Sequence, residues 1–190
     1  MAPADCSQGE LALATPDNPS QVQIEAWYMD DSPEDQRAPH KKTPNEVATP
    51  QKLAELGVLY WKLDADKYKD DYQQDPKLMA IRKARNYSFT VGYIDVRGVD
   101  KMLMACCAGY FDVRDFDDRW IRIRCCKGDL IILPEGIYHR FTLDHTDYAK
   151  AMRLFVGEPV WTPYNRPQEE NPSRQKYLEA FKAKRSAAAA

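Results

Sequence analysis

The amino-acid sequence predicts a mainly β fold with a few short helices. From residue 90 onward, apolar and polar residues alternate with a period of two, which is typical of strands whose successive side chains point to opposite faces. Turn-forming sequences such as DFDD, KGD and PEG separate these segments at intervals of about 8–12 residues. Short strands with this spacing favour a β-sandwich or a small β-barrel with a pocket at its mouth.

The part of the chain before residue 90 predicts one strand, one loop and two short helices. Val and Ile alternate in QVQIEAWYM at 21–29, which indicates a strand, and the polar, proline-broken segment 30–46 indicates a loop. Segments 49–63 and 75–85 each open with a capping residue followed directly by proline, as Thr-Pro and Asp-Pro. This order is typical of the first turn of a helix, so we expect a helix in each segment.

After residue 90 the alternation predicts a series of strands. Their sequences are GYFDVR, RWIRIR, LIILP, IYHRFTLD and AKAMRLFVG. In GYFDVR, the alternation places Phe111 and Val113 together on one face. We divide the chain into a flexible N-terminal arm at 1–20, a single domain at 21–170, and a C-terminal helix and tail at 171–190.

Composition and charge exclude several classes of partner. The chain has 190 residues, a net charge of −2 and a pI near 6.0, so no basic excess indicates nucleic acid or an anionic membrane. No apolar run approaches the roughly 20 residues that span a bilayer. Residues 1–20 contain acidic residues and no Lys or Arg, unlike a secretory signal or an organellar transit peptide. We therefore expect a cytoplasmic protein, with the nucleus as an additional compartment.

The five cysteines do not predict a disulfide framework or a zinc site. They are Cys6 and the adjacent pairs Cys106–Cys107 and Cys125–Cys126. An odd count argues against a set of disulfides, and no pair has the C-x-x-C spacing of a structural zinc site. Neighbouring residues on a strand point to opposite faces, so each pair should give one buried and one exposed thiol.

Of the three histidines, only His139 is placed where a ligand is expected. His40 lies in the polar loop and His145 in a turn, and both are predicted to be exposed to solvent. His139 follows a Pro–Gly corner and, by strand alternation, shares a face with Ile137 and Phe141. A histidine on an apolar face is either a packed core residue or a metal ligand, and the spacing alone leaves both open.

Seven segments of the sequence resemble, in order, the eukaryotic acireductone dioxygenases. They are EAWYMDDSPEDQRAPH, LGVLYWKLDAD, IRKARNYS, GYFDVRD, WIRI, KGDLIILPEGIYHRFTLD and KAMRLFVGEPVWTPYNRP. The resemblance covers roughly residues 22–90 and 108–167. The resemblance implies a cupin fold, which is a double-stranded β-barrel or jelly roll, with one Fe(II) or Ni(II) per chain.

The resemblance also implies an oxidoreductase of methionine salvage. Such a dioxygenase oxidises acireductone, 1,2-dihydroxy-3-keto-5-methylthiopentene, with O₂, and the iron form yields a keto acid and formate. The substrate is an ene-diol that chelates the metal through two oxygens, and the metal acts as Lewis acid and template. We expect a monomer whose partners are acireductone and O₂.

The metal ligands implied by the family are only partly present. The family carries H-x-H-x-x-x-E on one strand and a lone His in a YHRF segment, which His139 matches. The interval 89–108 resembles none of the first motif and is roughly 20 residues shorter than the family segment. Counting back without gaps from GYFDVRD places Ile94 and Val96 at the two His positions and Asp100 at the Glu position. The resemblance therefore implies His139 as a ligand and Asp100 as a candidate second one.

Three apolar side chains are candidates for the substrate pocket. Phe111 and Val113 should face the barrel interior, with Phe141 beside His139. The resemblance implies that such residues hold the methylthio tail, and ordinary core packing is the alternative. For the whole chain three interpretations stay open: an active enzyme, a metal-free cupin remnant, or a gene model mis-joined across 89–108.

Overall fold

Two antiparallel sheets form the centre of the described structure. The structure, a computed structural model, describes residues 7–87, 89–95, 103–106, 109–156 and 164–188. In chain order the elements within these ranges are α1 (Gln8–Ala14), β1 (Ala26–Tyr28), α2 (Pro50–Glu55), β2 (Leu59–Lys62), α3 (Pro76–Ala84), β3 (Phe89–Asp95), β4 (Leu103–Cys106), β5 (Gly109–Arg114), β6 (Trp120–Cys125), β7 (Asp129–Ile132), β8 (His139–Leu143), β9 (Lys150–Phe155) and α4 (Pro172–Ala188).

The two sheets enclose the main core. One has four strands in the order β1-β6-β5-β8 and the other has five in the order β2-β7-β4-β9-β3. The first contributes Val113, Ile121 and Ile123 to a shared apolar cluster, and the second contributes Ile131 and Ala151. The prediction of a mainly β protein with a few short helices is confirmed, with two sheets facing each other as in a jelly roll.

The divergent interval supplies a central strand of the five-stranded sheet. Strand β4 lies between β7 and β9, with Leu103 opposite both Ile131 and Arg153. Strand β3 lies at the edge of the same sheet and pairs with β9. The interval 89–108 therefore contributes backbone pairing to the fold, whatever its role in chemistry.

The two predicted helices before residue 90 have different outcomes. Helix α3 confirms the prediction for 75–85, and the Asp75 side chain caps it by accepting from the backbone N–H groups of Lys77 and Leu78. The helix predicted over 49–63 is wrong beyond residue 55, because β2 follows and pairs with β7. Gly57 between them has φ of 86°, a left-handed conformation that ends the helix at low steric cost.

The two ends of the chain carry helices that pack on the domain. The predicted flexible arm at 1–20 contains α1, which begins with a capping box between Ser7 and Glu10. Lys83 of α3 also contacts Glu10 at 3.0 Å. At the other end α4 is confirmed. No helix in the described ranges is long and apolar enough to cross a membrane.

The loop that follows β1 covers the part of the outer face of the four-stranded sheet around Trp27 and Arg122. Trp27 Nε1 donates to the Pro39 carbonyl at 2.8 Å. Arg122 Nη1 donates to the Gln36 carbonyl at 2.9 Å and also to the Ala38 carbonyl. These bonds give partners to three main-chain carbonyl groups of the loop, and the loop buries the Arg122 side chain beneath it.

Candidate metal centre and apolar face

His139 and the predicted pocket residues share one face of the four-stranded sheet. His139 begins β8 and lies directly opposite Val113 of β5, while Phe141 lies opposite Phe111. Val113 in turn lies opposite Ile121 of β6, which is fully buried in the core between the sheets. The alternation prediction is thus confirmed. We call Val113, Phe111 and Phe141 the apolar row, and the half-buried His139 lies at one end of it.

The main chain fixes the orientation of the His139 ring. Its Nδ1 lies 2.9 Å from the carbonyl oxygen of Ile137. Because a carbonyl only accepts, Nδ1 must carry the hydrogen, and Nε2 carries the lone pair of the neutral ring. Metal-binding histidines are commonly oriented in this way by a backbone carbonyl.

The two phenylalanines form a packed pair that needs a glycine beside it. The ring centroids of Phe111 and Phe141 are 5.0 Å apart with the planes tilted by 55°. A Cβ at Gly109 would lie only 2.7 Å from Cζ of Phe141. Gly109 therefore makes room for the ring that extends the apolar face from His139.

The described residues do not form a three-ligand metal site with His139. They contain no group of three or more His, Cys, Asp or Glu side chains that could hold a metal ion. Asp100 and Val96 lie outside the described residues. The backbone of Ile94 lies in β3, opposite Ala151 and in the other sheet from His139.

His40 is buried, so the prediction that it is exposed is wrong. Its Nδ1 lies 3.0 Å from Asp30 Oδ1 and 3.2 Å from Ser32 Oγ, and its Nε2 lies 3.1 Å from the Asp35 carbonyl. The loop folds back onto the sheet and encloses the ring, which local sequence could not indicate. His145 is exposed as predicted.

The second adjacent cysteine pair follows the strand rule. Cys125 is buried and Cys126 is exposed, as alternation predicted. Burial raises the pKa of the Cys125 thiol far above its usual range, so it stays protonated and unsuited to metal binding. Cys106 lies in β4 and Cys107 lies outside the described residues.

Two surface clefts lie away from His139 in the described structure. One, of about 380 Å³, is lined by residues that include Asp17, Tyr60 and Lys62. The other, of about 610 Å³, is lined by the loop around Lys42 and Glu46. Neither cleft is lined by residues of the apolar row. The prediction of a substrate pocket beside His139 therefore depends on the arrangement of that row alone.

Comparison with known proteins decides the family. The model of the ARD/ARD' family matches residues 25–106 and 100–163. The chain belongs to this family. An acireductone dioxygenase 3 of Physcomitrium patens is 51% identical over 179 residues, covering 83% of this chain and 86% of that protein. An acireductone dioxygenase 4 of Arabidopsis thaliana is 51% identical over 179 residues, covering 82% and 91%.

A solved structure of a family member is also similar. It is the acireductone dioxygenase from Bacillus anthracis with a cadmium ion in its active center, with 16% identity and a TM-score of 0.45. The match covers 75% of this chain and 99% of that one.

The alignments contain positions that this member of the ARD/ARD' family lacks. The match to the moss protein runs over 179 positions, whereas 83% of 190 residues is about 158, so about 21 aligned positions have no counterpart here. The two matches of the family model overlap at residues 100–106. That overlap lies inside the interval 89–108, from which the family's first ligand motif is missing.

Proposed function

We propose that this chain acts as an acireductone dioxygenase, oxidising acireductone with O₂ in methionine salvage. The observation that carries the proposal is 51% identity to acireductone dioxygenases over more than four fifths of the chain. By family resemblance, the iron form would yield a keto acid and formate. We further propose a cytoplasmic monomer of one cupin domain.

The apolar row is the part of the proposed site that the described residues support. The substrate joins a polar ene-diol to an apolar methylthio tail. His139 stands at the polar end of the row, and Val113, Phe111 and Phe141 follow it on the same face. We propose that the phenylalanine pair holds the methylthio tail and orients the ene-diol toward His139.

The described residues do not fit a complete metal centre. Relatives of this family imply a divalent metal, with Fe(II) and Ni(II) as the proposed ions, but His139 is the single ligand-type side chain on the row. One imidazole does not hold a divalent ion against water, because affinity comes from several ligands placed together. The proposed function therefore depends on ligands outside the described residues, with Asp100 as the candidate.

One observation favours a second function for the chain. The lack of a three-ligand group in the described residues favours a metal-free cupin module that folds without turning over acireductone. The two functions differ in metal content and O₂ uptake, so one preparation distinguishes them.

The test measures bound metal and O₂ uptake on the same purified chain. The proposed function requires about one bound metal per chain and O₂ consumption that depends on acireductone. His139→Ala should remove both, and the exposed His145→Ala should remove neither. Metal below trace level, with no O₂ uptake, would establish the metal-free module instead.

A further inference from the structure

Two arginines lie against one tryptophan on the outer face of the four-stranded sheet, and a third arginine lies nearby. The guanidinium carbons of Arg114 and Arg140 lie 4.2 and 4.4 Å from the centroid of the Trp120 ring. Arg166, from the segment before α4, reaches the same place through Asp118, which it contacts at 2.9 Å. We call Arg114, Arg140 and Arg166 the arginine cluster. It lies on the opposite side of the sheet from His139.

Guanidinium groups outnumber carboxylates in the ion pairs that involve the arginine cluster. Asp118 forms ion pairs with Arg166 at 2.9 Å and with Arg114 at 3.6 Å. Asp112 accepts from Arg140 at 2.8 Å, but it also accepts from Nε and Nη2 of Arg122. In these contacts, four guanidinium groups share two carboxylates.

Arg114 has a hydrogen-bond donor that the described structure leaves unused. Its Nη1 donates to the Asp118 carbonyl, but its Nε is buried without a partner among the described residues. Burial, followed by the charges of nearby Arg166 and Arg140, lowers the pKa of Arg114 despite the presence of Asp118. A buried N–H that lacks a partner costs free energy, so the hydrogen-bonding capacity of the Arg114 guanidinium is not fully used within the described structure.

The arginine cluster is packed against neighbouring side chains and is partly accessible to solvent. The Trp120 ring fixes two of the guanidinium planes, so little side-chain freedom is left to lose on binding. The side chains of Arg114, Arg140 and Arg166 are 22%, 35% and 41% exposed, so a small anion can reach them. Planar guanidinium groups match the spacing of oxygen atoms on phosphate and donate to them in pairs.

We propose that the arginine cluster binds an oxyanion of the phosphate class. Arg114 and Arg166 supply the main charge-assisted bonds, and Asp118 competes with the anion for both of them. The site uses none of the residues of the proposed active site. It therefore stands or fails independently of the proposed oxidation of acireductone.

The test follows the melting temperature of the full chain against inorganic phosphate, with sodium chloride at equal ionic strength as reference. Phosphate should raise the melting temperature and chloride should not. Arg166→Gln should weaken the apparent phosphate affinity on the order of tenfold, as for loss of a charged hydrogen bond. Asp118→Asn should tighten it, because the competing carboxylate is removed. Arg37→Gln, which changes an exposed ion pair elsewhere, should leave it unchanged.

Two outcomes would overturn the proposal. One is an equal effect of phosphate and chloride on the unaltered chain. The other is a phosphate effect that survives in both Arg166→Gln and Arg114→Gln. Because Arg166 lies outside the sheet with 41% of its side chain exposed, its variant should fold even if the Arg114 variant does not. Repeating the titration with glycerol phosphate distinguishes a site for free phosphate from one for a phosphate monoester.

Discussion

Replacing Asp112 by alanine removes the carboxylate on which two arginines converge. Asp112 and Arg122 are both fully buried, and they form two parallel bonds of 2.7 and 2.8 Å. The second oxygen of Asp112 also accepts from Arg140 at 2.8 Å. Without the carboxylate, Arg122 remains buried as a cation held by two main-chain carbonyl groups.

The expected loss of stability is large. Removing one partner of a buried ion pair typically costs about 3–5 kcal/mol, because an uncompensated charge remains in the interior. In a chain of this size, 1 kcal/mol shifts the melting temperature by about 2–4 °C, so Asp112→Ala should lower it by about 6–20 °C. The covering loop should also become more susceptible to proteolysis, since Arg122 anchors it through Gln36 and Ala38.

Urea and thermal denaturation measure this effect, and Glu25 offers a matched control. Glu25 also accepts from two cations, Lys41 and Arg124, but its side chain is 47% exposed. Glu25→Ala should therefore cost less than about 1 kcal/mol. If Asp112→Ala costs no more than Glu25→Ala, the buried pair does not hold the loop to the sheet and this reasoning is wrong.

Three further predictions concern the apolar row, the C-terminal helix and the divergent interval. Gly109→Ala should cost about 1–3 kcal/mol in urea denaturation, since the Phe141 ring must move, whereas Gly9→Ala, where the new Cβ meets nothing within 4 Å, should cost nothing. Burial raises the pKa of the Tyr177 hydroxyl to about 12, so the native state keeps a proton that the unfolded chain loses. The free energy of unfolding should then fall as the pH rises from about 10 toward 12, with a smaller slope in Tyr177→Phe; equal slopes would contradict this. Mass spectrometry of the natural protein should detect tryptic peptides from 89–108 if the interval is genuine, and peptides carrying a histidine-rich motif instead would indicate a mis-joined gene model.

Local pattern predicted those parts of the fold that local physics determines. The period of two in β5 and β8 is a direct consequence of strand geometry, so the shared face of Val113 and His139 followed from it. Helix α3 was predictable because Asp75 both ends the preceding turn and caps the helix. The end of α2 near Gly57 was not predictable from local pattern, because Leu53, Leu56 and Tyr60 have helical spacing. Pairing with β7 nevertheless makes residues 59–62 a strand.

The environment of the polar residues depends on contacts distant in sequence. Strand alternation puts Asp112 on the opposite face of β5 from Val113, and nothing near it in the sequence shows that the loop from 30 to 48 buries it. The same loop encloses His40 between Asp30 and the Asp35 carbonyl. From sequence alone, such charged residues are predicted to be exposed to solvent. They can be buried only when partners distant in sequence lie beside them, as Gln36 lies beside Arg122.

The proposed activity requires that metal stabilise the native state. An ion that binds only the folded chain raises the free energy of unfolding by about 2.7 kcal/mol at 100 times its dissociation constant. At about 2–4 °C per kcal/mol, the melting temperature of metal-stripped protein should rise by about 5–11 °C on addition of Ni(II). The rise should vanish in His139→Ala, shrink in Asp100→Asn and persist in His145→Ala. A flat titration of the unaltered chain would mean that strand β4 preserves the sheet while the interval 89–108 no longer supplies ligands. Folding then needs only an apolar strand at the centre of the sheet, whereas dioxygenase chemistry needs particular side chains, and the chain would retain the fold without the oxidation.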